Sequence, residues 1–261
     1  MQLFLWRPAS DGLPALLSVS SPLRPALIAA ARPLRKANAM VDGQEEQALP
    51  RARPRLRGVL HEAAFFVALV VGALLVANAD GPRETVAAAV FGGSVAAMLG
   101  ASALYHRVTW SVRTRPWMRR LDHAGIYLLI AGTYTPLGLL VLRGTLRDVV
   151  LAVVWTGAAA AIVFKFVWVG APKWLSAVIG ISLGWVGVAA MPQIAHYAGA
   201  AAVALLAAGG VAYTIGAIVY ARRRPDPVPA VFGYHELFHA LTLVAVSCQY
   251  VAIAFFVVRV G

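Results

Sequence analysis

Seven apolar segments of membrane-spanning length fill the chain from about residue 58 onward, and they constrain the fold more than any other feature. They cover residues 58–79, 84–106, 124–142, 149–169, 175–191, 199–221 and 235–258. A run of about 20 apolar residues forms a helix in lipid, because a helix satisfies all of its own backbone polar groups. Composition agrees, with 60% hydrophobic residues, 13% charged residues and a mean hydropathy of +0.73. We predict an all-α polytopic membrane protein with seven transmembrane helices.

The basic residues indicate how these helices are oriented. If the N-terminus is inside, all 23 Lys and Arg lie on the inner side except Arg83, Arg143, Arg147 and Arg259. The positive-inside rule therefore predicts an inside N-terminus and an outside C-terminus. The net charge of +12 would indicate nucleic-acid binding on a soluble protein. In a chain this apolar it indicates basic loops, and we expect membrane lipids as partners and no nucleic acid.

Two further regions complete the domain organisation. Residues 1–54 are basic and Pro-rich without a spanning segment, so we predict a disordered tail before a transmembrane domain at residues 55–261, with Met40 as an alternative start. Residues 113–120, with Trp110 and Trp117, are predicted to form a basic interfacial loop on anionic lipid. The single cysteine, Cys248, excludes an internal disulfide and a cysteine-based zinc site. Abundant Ala and Arg with little Lys favour a GC-rich bacterial genome, so we expect this membrane protein in the bacterial plasma membrane.

Histidines are the most informative polar residues in these segments. His235 and His239 are four residues apart, which places both imidazoles on one helical face, where they can bind one metal ion. In the predicted topology, His106 and Asp122 lie at the same inner membrane face. So do His61 and His123, which we first interpret as interfacial residues, whereas His196 alone lies in an outer loop.

Three histidines with an open fourth position for water form the usual catalytic zinc site. The predicted ligands are His106, His235 and His239, with Asp122 holding the water or accepting its proton. Ser102 is one helical turn before His106 and can donate a hydrogen bond to the site or to an oxyanion. Structural alternatives remain: Ser102 as a small residue in helix packing, and Asp122 as a helix cap or an arginine partner.

The same segment supports a second metal-dependent reaction. Residues 235–239 read His-Glu-Leu-Phe-His, which is the H-E-x-x-H pattern of zinc metalloproteases with Glu236 as the general base. An intramembrane metalloprotease is therefore an alternative. It needs a third ligand from elsewhere and gives no role to His106 or Ser102.

Three motifs resemble those of the bacterial hemolysin III family. They are Ser102-Ala-Leu-Tyr-His106, the run from Leu121-Asp122-His123 to Thr135-Pro136, and Gly233-Tyr-His235-Glu-Leu-Phe-His239. That family belongs with the progestin and adipoQ receptors and is distantly similar to alkaline ceramidases. The resemblance covers about residues 55–258 and implies seven helices with zinc near the cytoplasmic face. It assigns Ser102, His106, Asp122, His235 and His239 to the family site and makes Glu236 incidental. The long basic tail departs from the family pattern and puts the start of the chain in doubt.

Two functional hypotheses follow. The first is a zinc-dependent membrane hydrolase that cleaves an amide or ester bond of a lipid. The second is a non-enzymatic protein, either a cytolysin or a regulator of membrane state, in which zinc is structural. A wide pore would need polar residues on several helices, and the fourth to sixth segments are almost entirely Ala, Val, Leu, Gly and Ile.

Overall fold

The computed structural model describes residues 54–258, so the predicted tail lies outside the described residues apart from Pro54. This part of the chain is helical and contains no strand, only an isolated β-bridge between Val228 and Phe232. The helices are α1 (Val59–Ala77), α2 (Pro82–Arg107), α3 (Arg115–Pro136), α4 (Gly144–Val167), α5 (Lys173–Trp185), α6 (Met191–Arg222) and α7 (Tyr234–Ala252). π-Helical turns at Leu137–Val141 and Ile253–Val257 extend α3 and α7. The all-α prediction is confirmed.

Six continuous helical segments in the described residues are long and apolar enough to cross a membrane, which makes this a multi-pass membrane protein. The fifth of them, Lys173–Arg222, comprises 50 residues. It includes α5, a 3₁₀ turn at Val186–Ala190, and α6. Inside α6, Gly199 has φ 85° and ψ 166°, a conformation that favours glycine and interrupts the helix.

The two ends of this long segment lie together. The Lys173 ammonium lies 4.7 Å from the centroid of the Tyr220 ring. A straight helix of this length would extend about 75 Å. The chain therefore turns back on itself within this segment, near the break at Gly199. Both ends reach the start of α7, where Lys173 donates a hydrogen bond of 2.9 Å to Tyr234 and the Tyr220 ring contacts that of His235.

The prediction of a loop through residue 120 is wrong, because α3 begins at Arg115. Pro116 in the first turn suits a helix start, since its missing N–H would have no intrahelical partner there. Arg120 donates a hydrogen bond of 3.0 Å to the backbone carbonyl of Phe166 and so connects α3 to the end of α4. Three of the basic residues that indicated a loop, Arg115, Arg119 and Arg120, lie in the first two turns of this helix.

Small residues allow the helices around the site to pack closely. A Cβ on Gly132 of α3 would lie 2.0 Å from the Ser94 hydroxyl of α2, so these two helices approach too closely for any larger side chain. Gly72 of α1 and Gly92 of α2 also face each other, although less tightly, because a Cβ on either would lie 3.3–3.6 Å from the Cα of the other. This packing holds the ends of α1, α2 and α3 at one end of the bundle.

The segment before α1 closes over the same end. The N–H groups of Arg55 and Leu56 donate hydrogen bonds of 3.1 Å and 3.2 Å to the carbonyls of Ala230 and Val231, in the loop before α7. Gly58 has φ 78°, and a Cβ there would lie 2.6 Å from the Cβ of His106. Only glycine combines this backbone conformation with so close an approach to His106.

Candidate metal centre

Two helices bring three histidines together at one end of the bundle. His106 lies in the last turn of α2, and His235 and His239 lie in the first turns of α7. Their ligand nitrogens all lie within 4.8 Å of one another, and the Nε2 atoms of His106 and His235 are 3.2 Å apart. Two nitrogens bound to one tetrahedral zinc ion are separated by about 3.3 Å. The three side chains can hold a metal ion, and imidazole favours zinc and similar transition metals.

The i, i+4 spacing explains the pair on α7. The ring centroids of His235 and His239 are 4.5 Å apart, as expected for side chains on successive turns of one face. The ring of His106 lies 4.8 Å from that of His235 and 5.1 Å from that of His239. Each histidine thus contacts the other two, although more than 120 residues separate α2 from α7 in the chain.

A carboxylate from a third helix lies beside this cluster. Asp122, in the second turn of α3, is buried, and its Oδ2 lies 3.8 Å from Nε2 of His106. This distance is too long for a direct hydrogen bond and leaves the carboxylate able to contact a group bound between them. The structure therefore brings Ser102, Asp122 and the three histidines into one region. Their roles as hydrogen-bond donor, base and metal ligands stay predictions.

His61 also contacts this region, and its interpretation as an interfacial residue was wrong. Its side chain is only 2% exposed, and its ring stacks on His239 with centroids 3.8 Å apart. Its Nδ1 is hydrogen bonded to the Ser102 hydroxyl at 2.8 Å. The hydroxyl thus links α1 to α2 behind the metal-binding face. A single histidine near a helix end carries little information, and only the predicted topology placed it at the inner face.

The Glu236 carboxylate contacts Arg57 and the N-terminus of α7. Its Oε1 lies 2.6 Å from Nε of Arg57, and its Oε2 accepts a hydrogen bond of 2.9 Å from the Gly233 N–H. Both carboxylate oxygens are therefore engaged by an arginine and by the N-terminus of α7, an arrangement that stabilises the start of the helix. This geometry explains the acidic residue in the His-Glu-Leu-Phe-His sequence without a catalytic role.

The three histidines line two cavities of different character. A cavity of about 460 Å³ is lined by Arg57, His106, Asp226 and Glu236 among others. A second, of about 200 Å³, extends between α3, α5, α6 and α7 from His235 and His239 to Met191 and Ile194, and its lining is mostly apolar. The cluster therefore has a cavity with several charged side chains beside His106 and a mostly apolar cavity beside His235 and His239.

Comparisons with known proteins cover this region. A family model described as haemolysin-III related matches residues 50–250, which include every residue of the cluster. A hemolysin-3 homolog of Bacillus subtilis (strain 168) is 32% identical over 193 residues, which are 74% of this chain and 87% of that protein. Hemolysin-3 of Bacillus cereus is 42% identical over 100 residues, which are 38% of this chain and 46% of that protein.

Proposed function

Because the chain belongs to the haemolysin-III-related family, we propose that its three histidines hold a zinc ion and that it hydrolyses an amide or ester bond of a membrane lipid. One observation carries the proposal: three imidazoles and a buried carboxylate converge, with a cavity that contains several charged side chains beside His106 and a mostly apolar cavity beside His235 and His239. Water can reach such a site from one side and a lipid chain from the other. The amide or ester bond to be cleaved would lie beside the histidine cluster, between these two sides.

Each side chain has a role that its position supports. When bound, zinc supplies a Lewis acid that polarises a carbonyl and makes water more acidic. His106, His235 and His239 provide its nitrogen ligands. Asp122 orients the attacking water and accepts its proton, since its Oδ2 lies on the His106 side of the cluster. Ser102 holds the ring of His61 against His239.

The test compares variants of the purified protein. Removing two ligands in a His106→Ala, His235→Ala variant should abolish stoichiometric zinc in metal analysis. Asp122→Asn should keep the zinc but lower fatty-acid release from a lipid panel by about 10²–10⁴-fold, the range typical of a lost general base. His196→Ala is the matched control, because the His196 side chain is exposed. This variant should retain both the zinc content and the fatty-acid release of wild type. Fatty-acid release that is equal in wild type and His235→Ala, or absent in zinc-loaded wild type, contradicts the hydrolase.

Both relatives are called hemolysins, which favours a second candidate, a non-enzymatic cytolysin. A membrane regulator is the other non-enzymatic form of this candidate, and zinc would be structural in both. Dye leakage from lipid vesicles distinguishes the two. Leakage that survives loss of all three histidines favours the second candidate. The mostly apolar lining of the inner cavity supports a lipid-binding site over a water-filled pore.

The proposal includes seven spans, an inside N-terminus and an outside C-terminus, in a bacterial inner membrane. The contact between Lys173 and Tyr220 supports counting Lys173–Arg222 as two passes. The excess of basic residues on one side supports the orientation.

A further inference from the structure

Lys165 is a buried cation that the proposed reaction does not use. It lies in the last turn of α4, is only 1% exposed, and lines the apolar cavity. Its ammonium donates a hydrogen bond to the hydroxyl of Ser176, in the first turns of α5. An ammonium so placed in a membrane protein is costly unless a partner compensates its charge, and such residues commonly belong to functional sites.

The described part of the chain provides no such partner. Its four ion pairs are Arg57–Glu236, His106–Asp122, Arg107–Glu62 and Arg147–Asp148, and none includes Lys165. The charged neighbour that acts on Lys165 is Arg119, which has the same sign. The Ser176 hydroxyl and the Phe164 ring, whose centroid is 5.6 Å from the ammonium, do not neutralise a full charge. The charge balance therefore favours a bound anion.

His123 supplies a second polar group to the same space. It follows Asp122 on α3 and lines the same cavity as Lys165. Its Nδ1 is buried and has no hydrogen-bond partner among the described residues. Buried polar atoms in native proteins nearly always have a partner. An unpartnered ring nitrogen and an uncompensated ammonium thus line one cavity, close to the three histidines.

We infer that Lys165, Ser176 and His123 form a binding site for the anionic group, a carboxylate or a phosphate monoester, of a single-chain lipid. The rest of the cavity lining is mostly apolar and accepts the chain. A volume of about 200 Å³ is below the roughly 300–1,000 Å³ of drug-sized sites and favours one chain over two. The lipid nature of the ligand rests on the proposed function, but binding requires neither zinc nor turnover.

The experiment measures binding without catalysis. The purified full-length chain, treated with a chelator, is titrated with an alkyl carboxylate, an alkyl phosphate and an alcohol of equal chain length. Each competes with a fluorescent fatty-acid analogue. Wild type should bind both anions about tenfold or more tightly than the alcohol, as expected for a charge-assisted hydrogen bond in a buried site. Equal affinity for alcohol and anions in wild type contradicts the site without the need for any variant.

Matched lysine variants identify which side chain causes the preference for anions over the alcohol. Lys165→Met should lose the preference for anions while keeping its affinity for the alcohol, and Lys165→Arg should restore much of the preference. Lys173→Met is the control, because Lys173 contacts Tyr234 and Tyr220 and does not line the cavity. A preference that survives in Lys165→Met, or that is lost equally in Lys173→Met, overturns the assignment.

Two further arms separate this inference from the hydrolase. Acetate and inorganic phosphate should compete with the alkyl anions only weakly, and strong competition would indicate a site for free anions and contradict a lipid ligand. If zinc-loaded protein releases no fatty acid but Lys165 still sets the preference for anions, the proposed reaction fails and the binding site stands. If the protein hydrolyses lipids but shows no preference for anions, the proposed reaction stands and the anion-binding site fails.

Discussion

At the scale of single residues, the metal centre depends on side chains that contact the histidines without being ligands themselves. Ser102 is 2% exposed, and its hydroxyl is hydrogen bonded to His61, which stacks on His239. The sequence predicted Ser102 because it precedes His106 by one helical turn. It did not predict that a residue from α1 would be its partner, since the pairing depends on how α1 packs on α2 and α7. Helical spacing cannot give that information.

Ser102→Ala should therefore destabilise the protein. Removing the hydroxyl leaves Nδ1 of the buried His61 without a partner, which costs about 1–3 kcal/mol. Thr156→Ala is the control, because this hydroxyl is exposed and bonds only to its own helix. Thermal unfolding in detergent should show a lower midpoint for Ser102→Ala and a nearly unchanged one for Thr156→Ala. Equal midpoints in the two variants would show that the hydrogen bond contributes nothing.

At the scale of helices, the ends of the elements were harder to predict than their existence. All seven predicted segments overlap a helix, but α3 begins at Arg115, nine residues before the predicted start. Arginines at the end of a membrane helix extend into the interface, so their charge does not mark the helix end. The predicted start of α7, at His235, is one residue from the observed start at Tyr234. The structure adds a cap that the sequence analysis did not predict, in which the Glu236 carboxylate accepts a hydrogen bond from the Gly233 N–H.

This cap gives a prediction for Glu236→Gln. The amide can still accept the Gly233 N–H but loses the ion pair with Arg57. We expect a loss of about 1–3 kcal/mol, less than for a fully buried pair because the Arg57 side chain is 25% exposed. Zinc content and fatty-acid release per folded molecule should stay within about twofold. A loss of about 10²-fold or more with the fold intact would instead support Glu236 as the general base of a metalloprotease.

Helix packing makes a separate prediction at the same scale. Gly132→Ala should destabilise the contact between α2 and α3 by about 1–3 kcal/mol, because the added methyl group would overlap Ser94. Gly93→Ala is a matched control on α2, where a Cβ meets nothing within 4 Å. Thermal unfolding should separate the two variants clearly. If both unfold at the wild-type temperature, the helices can move apart at no cost and the close packing is unimportant.

At the scale of the whole molecule, the site was predictable because two independent patterns agree. Lysine and arginine positions predicted which helix ends share a membrane face, and the histidines then fell together at that face. The structure brings these same ends into contact. The cavities were not predictable, since they depend on which faces of α3, α5, α6 and α7 point inward. Lys165 was interpreted as one of the inner basic residues that set orientation, and its burial in the cavity emerges only from the packed bundle.

The contact between His106 and His235 also constrains how often the chain crosses the membrane. The end of α2 and the start of α7 lie at one face, so the chain between them must cross an even number of times. Helices α3 and α4 account for two crossings, and Lys173–Arg222 must then cross twice or not at all. Two crossings place the break at Gly199 on the face opposite the histidines.

Single cysteines in a Cys248→Ala background test this arrangement. Asp80→Cys and His196→Cys, both at exposed positions, should react with a membrane-impermeant maleimide added to intact cells. Pro227→Cys, exposed in the loop before α7, should react only after the membrane is permeabilised, because that loop lies on the inner side. Labelling at Pro227→Cys in intact cells would reverse the orientation. A His196→Cys protein that stays unlabelled before and after permeabilisation would place this residue inside the bilayer and exclude two separate crossings.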